Sequence, residues 1–334
     1  MSGWSALLTG AFPDPVSIVL PRGETPSFVL ADHVLGDGWA SASVIKDAGD
    51  DPDVTHAAEI QATVRRGAPG SGLVFRAGPG IGTVTLPGLP LAVGEPAINP
   101  GPRAQIEANL RALSGEAALD LTITIAIPGG EALALKTMNG RLGILGGLSI
   151  LGTTGVVLPY SCAAWIASIH RGVDVARASG LAHVAGCTGK TSETAVQRLH
   201  GLEERALIDM GGFAGALFKY LRAHPLPRLT VGGGFAKISK LAAGATDLHS
   251  KAAAVDLAWL VGLAGELGAS QPLLDRMRQG TSAAQILALS SGEVPLAQAV
   301  AARARETAMA ILAGGVAVDV AVFDRSGTML GHAG

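Results

Sequence analysis

Three glycine-rich segments in the second half of the chain each follow a short apolar run, and each could hold a polar ligand against the backbone. They are residues 186–189 (Gly-Cys-Thr-Gly), 209–212 (Asp-Met-Gly-Gly) and 232–234 (Gly-Gly-Gly). Glycine lets a backbone turn through positive φ and approach a ligand closely. The apolar runs predict parallel strands, and ligands of such sheets bind beyond the carboxyl ends of the strands. The residues expected to bind a cofactor there are Gly186, Thr188, Gly189, Asp209, Gly211, Gly232, Gly233 and Gly234.

The first of these segments also resembles a phosphate-binding loop, because a predicted strand leads into Gly-Lys-Thr at residues 189–191. Such a loop requires a glycine five residues before Gly189, and that position is Val184. The weaker interpretation is that the amino terminus of the following helix, near Thr191, faces a polar ligand. A nucleotide-dependent kinase or ligase remains as a further hypothesis.

A turn at residues 46–56 (Lys-Asp-Ala-Gly-Asp-Asp-Pro-Asp-Val-Thr-His) concentrates charge after a predicted strand. A calcium loop needs alternating oxygen ligands closed by a distant glutamate, and this spacing does not supply them. Two interpretations stay open: a capped, solvated turn, or a polar wall for a substrate. The residues expected to contact a substrate are Lys46, Asp47, Asp50 and Asp51.

Two lysines follow the third glycine segment. Lys237 and Lys240 are three residues apart on a predicted helix and therefore point the same way. A solvated helix face would explain them, but their position beyond a strand end, with His249 and Ser250 close behind, favours an anionic ligand. No catalytic residue can be assigned. No metal ligand is expected either, because Cys162 and Cys187, the only cysteines, have no neighbouring ligand at metal-site spacing.

The predicted secondary structure that positions these residues differs between the two halves of the chain. The first 130 residues read mainly as short strands with one helix near residues 102–113. From about Ser161, helices alternate with short apolar strands, which is typical of parallel βαβ units. We therefore predict two domains, an α+β domain at residues 1–158 and an α/β domain with a small parallel sheet at residues 159–334.

Between these regions, residues 142–169 contain no charged side chain. A membrane-spanning helix needs about 20 predominantly apolar residues, whereas glycines, the pair Thr153 and Thr154, and Pro159 interrupt this run. A buried strand and glycine turn followed by a helix is the better prediction. We expect the backbone around Thr153 and Thr154 to close against a substrate.

The composition narrows the classes of partner. Charged residues make up 16% of the 334 residues, aromatic residues 4%, and the formal net charge is −2. This leaves no basic surface for nucleic acid. The amino terminus lacks the basic and apolar regions of a secretory signal, so we expect a cytoplasmic protein without a membrane partner. A homo-oligomer is left open.

These segments together resemble the CbiD family, the cobalt-precorrin-5B methyltransferases of corrin biosynthesis. The matching segments, in family order, are residues 44–56, 139–157, 210–213 and 237–244, followed by His249 and Ser250. Family members open with a Thr-Thr-Gly-Ala-Cys block that feeds a helix, and this chain begins at a point resembling the end of that helix. A non-catalytic corrinoid-binding or carrier protein is therefore the alternative hypothesis.

The resemblance implies transfer of a methyl group from S-adenosylmethionine to carbon 1 of a cobalt corrinoid, cobalt-precorrin-5B, giving cobalt-precorrin-6A. It also implies that the first domain resembles domain 2 of ribosomal protein S5. A corrinoid carries acetate and propionate arms, so Lys46, Lys237, Lys240 and Arg141 become carboxylate partners. By analogy with dinucleotide folds, Asp209 becomes a ligand of the cofactor's ribose.

Overall fold

The computed structural model describes residues 1–115, 117–152, 155–156, 161–250 and 252–334 of a mixed α/β protein. Its internal contacts divide the chain into two compact units, Met1–Ser161 and Cys162–Gly334. Each unit contains a sheet of five strands. In the described part of the chain, every helix is too short or too polar to cross a membrane.

The first unit is built on a mostly antiparallel sheet with the order β3-β4-β5-β8-β6, in which only β6 and β8 run parallel. Two further pairs, β1 with β2 and β7 with β9, form small two-stranded sheets. The elements are α1 (Ser2–Thr9), β1 (Val16–Ser17), β2 (Ser27–Phe28), β3 (Asp32–Gly36), β4 (Trp39–Ile45), β5 (Glu59–Arg66), β6 (Leu73–Ala77), β7 (Thr83–Val84), α2 (Pro100–Ser114), β8 (Leu121–Ala126), α3 (Gly130–Ala134) and β9 (Ile144–Leu145).

The core of the first unit forms where helix α2 and strand β8 bury their apolar residues. Leu110 of α2 and Ile123 of β8 are almost fully buried in one cluster with Trp4 of α1. The indole nitrogen of Trp4 donates to Oγ of Ser114 over 2.7 Å, which joins α1 to the end of α2. The sequence predicted α2 from its apolar spacing and its proline in the first turn. It did not predict α1, β3 or β6, whose short or exposed stretches carry little apolar period.

The glycines of the uncharged run let three chain segments cross at backbone distance. The amide of Leu148 donates to the carbonyl of Gly80 over 2.8 Å. A side chain at Gly147 would place its Cβ 2.4 Å from the carbonyl of Gly80, and one at Gly130 would place it 2.5 Å from the same oxygen. Nδ2 of the buried Asn139 donates to the carbonyl of Gly147 over 3.2 Å. Of the predicted buried strand, the two-residue β9 is present, with Ile144 buried and Leu145 exposed, and the glycines that follow serve close packing.

The second unit has a parallel sheet with the order β11-β10-β12-β13-β14, closed by the antiparallel edge strand β14. Its elements are α4 (Cys162–Ala178), β10 (His183–Cys187), α5 (Lys190–His200), β11 (Leu207–Asp209), α6 (Ala214–Ala223), β12 (Arg228–Gly234), α7 (Phe235–Ala242), α8 (Leu257–Glu266), α9 (Gln271–Arg278), α10 (Ala283–Ser290), α11 (Leu296–Leu312), β13 (Ala317–Phe323) and β14 (Met329–Ala333). The predicted alternation of strands and helices is confirmed, whereas β14 was not predicted.

The order of these strands creates a topological switch. The chain leaves β10 through α5 and reaches β11 on one side, then crosses through α6 to β12 on the other side of β10. At such a point the flanking connections diverge and leave a crevice beyond the carboxyl ends of the strands. In this unit the crevice lies after Cys187 of β10 and Gly234 of β12, where the sequence placed a cofactor.

Candidate functional site at the carboxyl edge of the parallel sheet

The three glycine segments predicted to bind a cofactor are joined to one another by backbone hydrogen bonds. We call residues 186–189, 209–212 and 232–234 the carboxyl-edge loops. The amide of Thr188 donates to the carbonyl of Gly232 over 2.9 Å. The amide of Met210 donates to the carbonyl of Cys187 over 3.0 Å. The register of the parallel strands thus continues into the loops and brings all three together at one edge.

Lys237 fastens the first loop to helix α7. Its ammonium donates to the carbonyl of Thr188 over 2.8 Å. Burial lowers the pKa of Lys237, and the neighbouring Lys240 lowers it further, while the carboxylate of Asp209 acts in the opposite direction. The lysine therefore lies within electrostatic reach of the second loop as well as the first.

Lys240 is buried and is connected to the second loop through Leu248. Its ammonium donates to the carbonyl of Leu248 over 3.1 Å. The amide of Leu248 in turn donates to the carbonyl of Gly212 over 2.7 Å, and a Cβ on Gly212 would lie 2.9 Å from the amide nitrogen of His249. Ser250 follows at the exposed surface. The geometry therefore favours loop positioning by Lys240, whereas the sequence predicted it as a substrate ligand.

Five of the six predicted cofactor glycines fall into two groups. Cβ atoms on Gly186, Gly232 and Gly233 would each lie within 2.7 Å of a packed side chain, so these residues serve close packing. Cβ atoms at Gly189 and Gly234 would contact almost nothing within 4 Å among the described residues. These two residues immediately precede α5 and α7, and no described side chain caps either helix. Open space thus meets two uncapped helix amino termini, which attract anions.

Trp165 is a residue of the candidate site that the sequence analysis missed. Its Nε1 donates to the carbonyl of Asp209 over 2.9 Å, and its ring covers Gly211, where a Cβ would lie 2.8 Å away. The residue is nevertheless 45% exposed. An apolar helix position is usually a core position, so the only available signal was the rarity of tryptophan in this chain.

An open cavity of about 450 Å³ lies between α4 and α6, within the size range of small-molecule sites. Its lining includes Phe213, His170 and Tyr220, of which His170 and Tyr220 stack with ring centroids 3.9 Å apart. The hydroxyl of Tyr220 donates to Asp174 over 2.6 Å. Burial, followed by this bond, raises the pKa of Tyr220 to about 12. Its hydroxyl therefore stays protonated well into the alkaline range.

The charged turn predicted as a substrate wall is closed by its own residues. The ammonium of Lys46 contacts Asp53 and Thr55. Partial burial would raise the pKa of Asp53, but the bonds from Lys46 and Thr55 outweigh it and hold this pKa below its ordinary value. Oδ1 of Asp47 accepts from the amide of Gly49 over 2.8 Å. The geometry is that of a capped turn, and its binding role stays a prediction.

The other predicted substrate residues of the first unit are not brought together in the described part of the chain. Asp50 is exposed and Asp51 half-buried at the tip of the turn. Arg141 lies half-buried in a short 3-10 turn, Gly140–Leu142. Thr153 and Thr154 lie outside the described residues.

The fold and the site are those of an α/β ligand-binding domain. The second unit is a parallel α/β sheet with a topological switch, where glycine loops and two helix amino termini meet. The chain also matches the family model CbiD over residues 1–159 and the model for the C-terminal domain of CbiD over residues 247–334. This chain belongs to the CbiD family, so the resemblance predicted from the sequence motifs is confirmed.

Curated relatives match nearly the whole chain. The cobalt-precorrin-5B C(1)-methyltransferase of Paramagnetospirillum magneticum is 58% identical over 98% of this chain and 92% of its own length. The proteins of the same name from Rhodospirillum rubrum and Halorhodospira halophila are 57% and 53% identical. The match to a crystal structure of cobalamin biosynthesis protein from Archaeoglobus fulgidus covers 75% of this chain and 78% of that chain, at 24% identity and a TM-score of 0.38.

Proposed function

We propose that this protein is a methyltransferase of cobalamin biosynthesis that methylates carbon 1 of cobalt-precorrin-5B and gives cobalt-precorrin-6A. One observation carries the proposal: relatives bearing that enzyme name are 53–58% identical over at least 98% of the chain. The donor is S-adenosylmethionine, whose sulfonium supplies an electrophilic methyl group and leaves as a neutral thioether. Attack by a ring carbon requires in-line positioning more than acid–base catalysis. This agrees with a site in which no catalytic residue stands out.

The carboxyl-edge loops fit this cofactor. The helix amino termini after Gly189 and Gly234 suit the carboxylate of its methionine part, because unbonded amides and the helix dipole both favour an anion. Asp209 ends the second strand of the β10-α5-β11 unit, about 20 residues beyond the glycine loop, where dinucleotide folds place the acid that binds ribose hydroxyls. The exposed ring of Trp165 offers a flat apolar surface for adenine.

The substrate is a flat macrocycle with several carboxylate arms. One of the three N–H groups of Lys237 donates to the carbonyl of Thr188, and the other two are proposed to donate to a carboxylate arm of the substrate. Arg141 and the turn at residues 46–56 are proposed as further contacts, because they carry charge and belong to segments that the family resemblance singled out. Lys240, His249 and Ser250 are proposed to hold the loop beside the substrate. Thr153 and Thr154 keep the role predicted from the sequence.

Isothermal titration with S-adenosylmethionine and a methylation assay with cobalt-precorrin-5B test the proposal together. We expect stoichiometric cofactor binding and formation of cobalt-precorrin-6A. Binding of the cofactor without methylation would refute the reaction. Binding of the corrinoid without any affinity for the cofactor would instead support the carrier hypothesis. If Lys190→Ala keeps the activity of the unaltered protein in this assay, a kinase or ligase that depends on Gly-Lys-Thr is excluded.

Two substitutions test the proposed cofactor contacts. Asp209→Asn should raise the dissociation constant of S-adenosylmethionine roughly 10-fold or more, because bonds to a charged group contribute about 1.5–3 kcal/mol. Trp165→Ala should weaken binding similarly, whereas Trp165→Phe keeps most of the aromatic surface. Asp275→Asn, which removes the same charge from the exposed face of α9, is the matched control. Equal affinities for Asp209→Asn and the control would refute the assignment.

We also propose the domain boundary, the fold of each domain and the cellular location that the sequence predicts. The domains divide at residues 158 and 159, the first resembles domain 2 of ribosomal protein S5, and the second is α/β. The two five-stranded sheets support this division. The net charge of −2 supports the absence of a nucleic-acid partner. We also propose that the enzyme is cytoplasmic, as expected from the sequence. Limited proteolysis should cut first near the division, and cleavage within either sheet would count against it.

A further inference from the structure

Three histidines and one aspartate cluster in the second unit, towards the amino ends of the parallel strands and away from the carboxyl-edge loops. His183 is the first residue of β10, and His200 is the last residue of α5, a helix that runs back towards this edge. Asp319 lies on β13 beside Thr230 of β12. His332 lies on the edge strand β14. Four separate elements therefore meet at one point.

Two distances within the cluster, both to the same oxygen of Asp319, match those of a coordination shell. Oδ2 of Asp319 lies 3.2 Å from Nε2 of His200 and 3.3 Å from Nε2 of His332. In a tetrahedral zinc site with bonds of about 2.0–2.1 Å, neighbouring ligand atoms are about 3.3 Å apart. His183 also offers a ring nitrogen, and the ligand atoms of His183, His200 and Asp319 all lie within 4.8 Å of one another. His332 is not part of this group of three, although its Nε2 lies beside Oδ2 of Asp319, so its ring would have to turn towards the other two histidines to become a fourth ligand.

The surroundings hold the carboxylate in place. Oδ1 of Asp319 accepts from Nε of Arg228 over 3.1 Å. The hydroxyl of Thr230 lies 2.9 Å from Oδ1 and 3.0 Å from Oδ2 of the same carboxylate, and 2.8 Å from Nε2 of His183, so this histidine would exchange that last contact for the ion. The Arg228 and Thr230 donors thus fix the Asp319 carboxylate while Oδ2 stays beside the histidines. Outer-shell bonds of this kind orient metal ligands. Arg228 is a cation, but 46% of its side chain is exposed, so solvent screens its repulsion of a bound ion.

We propose that His183, His200 and Asp319, with His332 as a fourth ligand, form a site for Zn²⁺. Imidazole nitrogens combined with a carboxylate favour zinc, whereas Mg²⁺ and Ca²⁺ favour oxygen ligands. With His332 turned in as the fourth, the protein ligands would leave no open position, which is typical of a structural site. The ion would tie the end of α5 and the edge strand β14 to the central strands. The sequence spacing gave no indication of it, because the ligands are far apart along the chain.

Metal binding by the whole protein tests the proposal directly. Chelator-treated protein should take up one equivalent of Zn²⁺ in competition with a chromophoric chelator, and its melting temperature should rise. Substitution by Co²⁺ should give the intense visible absorption of a tetrahedral ion. This spectrum is measured on the unaltered chain, so it does not depend on the folding of any variant. Absence of both stoichiometric Zn²⁺ uptake and the tetrahedral Co²⁺ spectrum would overturn the proposal.

Ligand variants identify the site. His200→Asn should weaken Zn²⁺ binding roughly 100-fold, and His332→Asn roughly 10-fold or more, because loss of a ligand costs at least as much as loss of an outer-shell partner. His33→Asn replaces an exposed histidine of the first unit and should leave the affinity unchanged. If His200→Asn binds Zn²⁺ as tightly as this control, the cluster is a metal-free network of hydrogen bonds to Asp319.

Discussion

Lys237 links helix α7 to the first carboxyl-edge loop. We expect Lys237→Met to remove the bond to Thr188 and to raise the dissociation constant of S-adenosylmethionine about 10-fold, since a bond from a charged donor contributes about 1.5–3 kcal/mol. Calorimetric titration measures this change. Lys136→Met removes the same charge from an exposed position in the first unit and serves as the control. Equal affinities of the two variants would show that Lys237 does not order the loop.

Tyr220 allows a prediction about alkaline pH. Its pKa is raised by burial and by the bond to Asp174 to about 12, from an ordinary value of 10.0. The unfolded chain therefore loses this proton first, and stability should fall as the pH rises from about 10 to 12. The melting temperature should fall less steeply over this range in Tyr220→Phe. Parallel pH curves for Tyr220→Phe and the unaltered protein would contradict the prediction.

Single residues also show where sequence reasoning stops. The glycines at the strand ends were predicted, because apolar runs bounded by glycine mark strands. Their division into packed glycines, such as Gly232, and glycines beside open space, such as Gly189, depends on neighbours from distant segments. Burial of Lys240 could not be predicted either, since a lysine on a helix is ordinarily solvated.

At the scale of elements, the crossing of three glycines in the first unit yields a stability prediction. Gly147→Ala would place its Cβ 2.4 Å from the carbonyl of Gly80, and backbone cannot yield as a flexible side chain does. We expect a loss of about 1–3 kcal/mol, the usual cost of overpacking. Gly140→Ala meets nothing within 4 Å among the described residues and should be nearly neutral. Urea unfolding measures both, and equal midpoints would contradict the close approach.

Most of the elements of the second unit could be predicted from the sequence, but their arrangement could not. Two signals predicted β10, α5 and β12. Their apolar residues recur at the spacing of a strand or a helix, and glycine or proline marks their ends. The order of strands, with β12 beside β10 and β13 beyond, is decided by tertiary packing. Only this order brings Asp319 beside Thr230 and close to His183. The carboxyl edge was predictable as a ligand site because parallel strands end together, whereas the cluster at the other edge was not.

At the scale of the whole molecule, the two proposed sites lie towards opposite ends of one sheet and share no residue. A ligand that binds only the folded state adds about 2.7 kcal/mol at 100 times its dissociation constant. We therefore expect the stabilisation by S-adenosylmethionine and by Zn²⁺ to be additive. Where the two compact units unfold in separate calorimetric transitions, only the transition of the second unit should shift, because both sites belong to it.

Two variants separate the contributions in a calorimetric experiment. Asp209→Asn should lose most of the shift caused by S-adenosylmethionine and keep the shift caused by Zn²⁺, because the cluster of His183, His200 and Asp319 is untouched. His200→Asn should show the reverse. Both sites depend on the same helix, since α5 begins after Gly189 and ends at His200. Loss of both shifts in His200→Asn would therefore mean that the ion orders the whole helix and, through it, the cofactor loop.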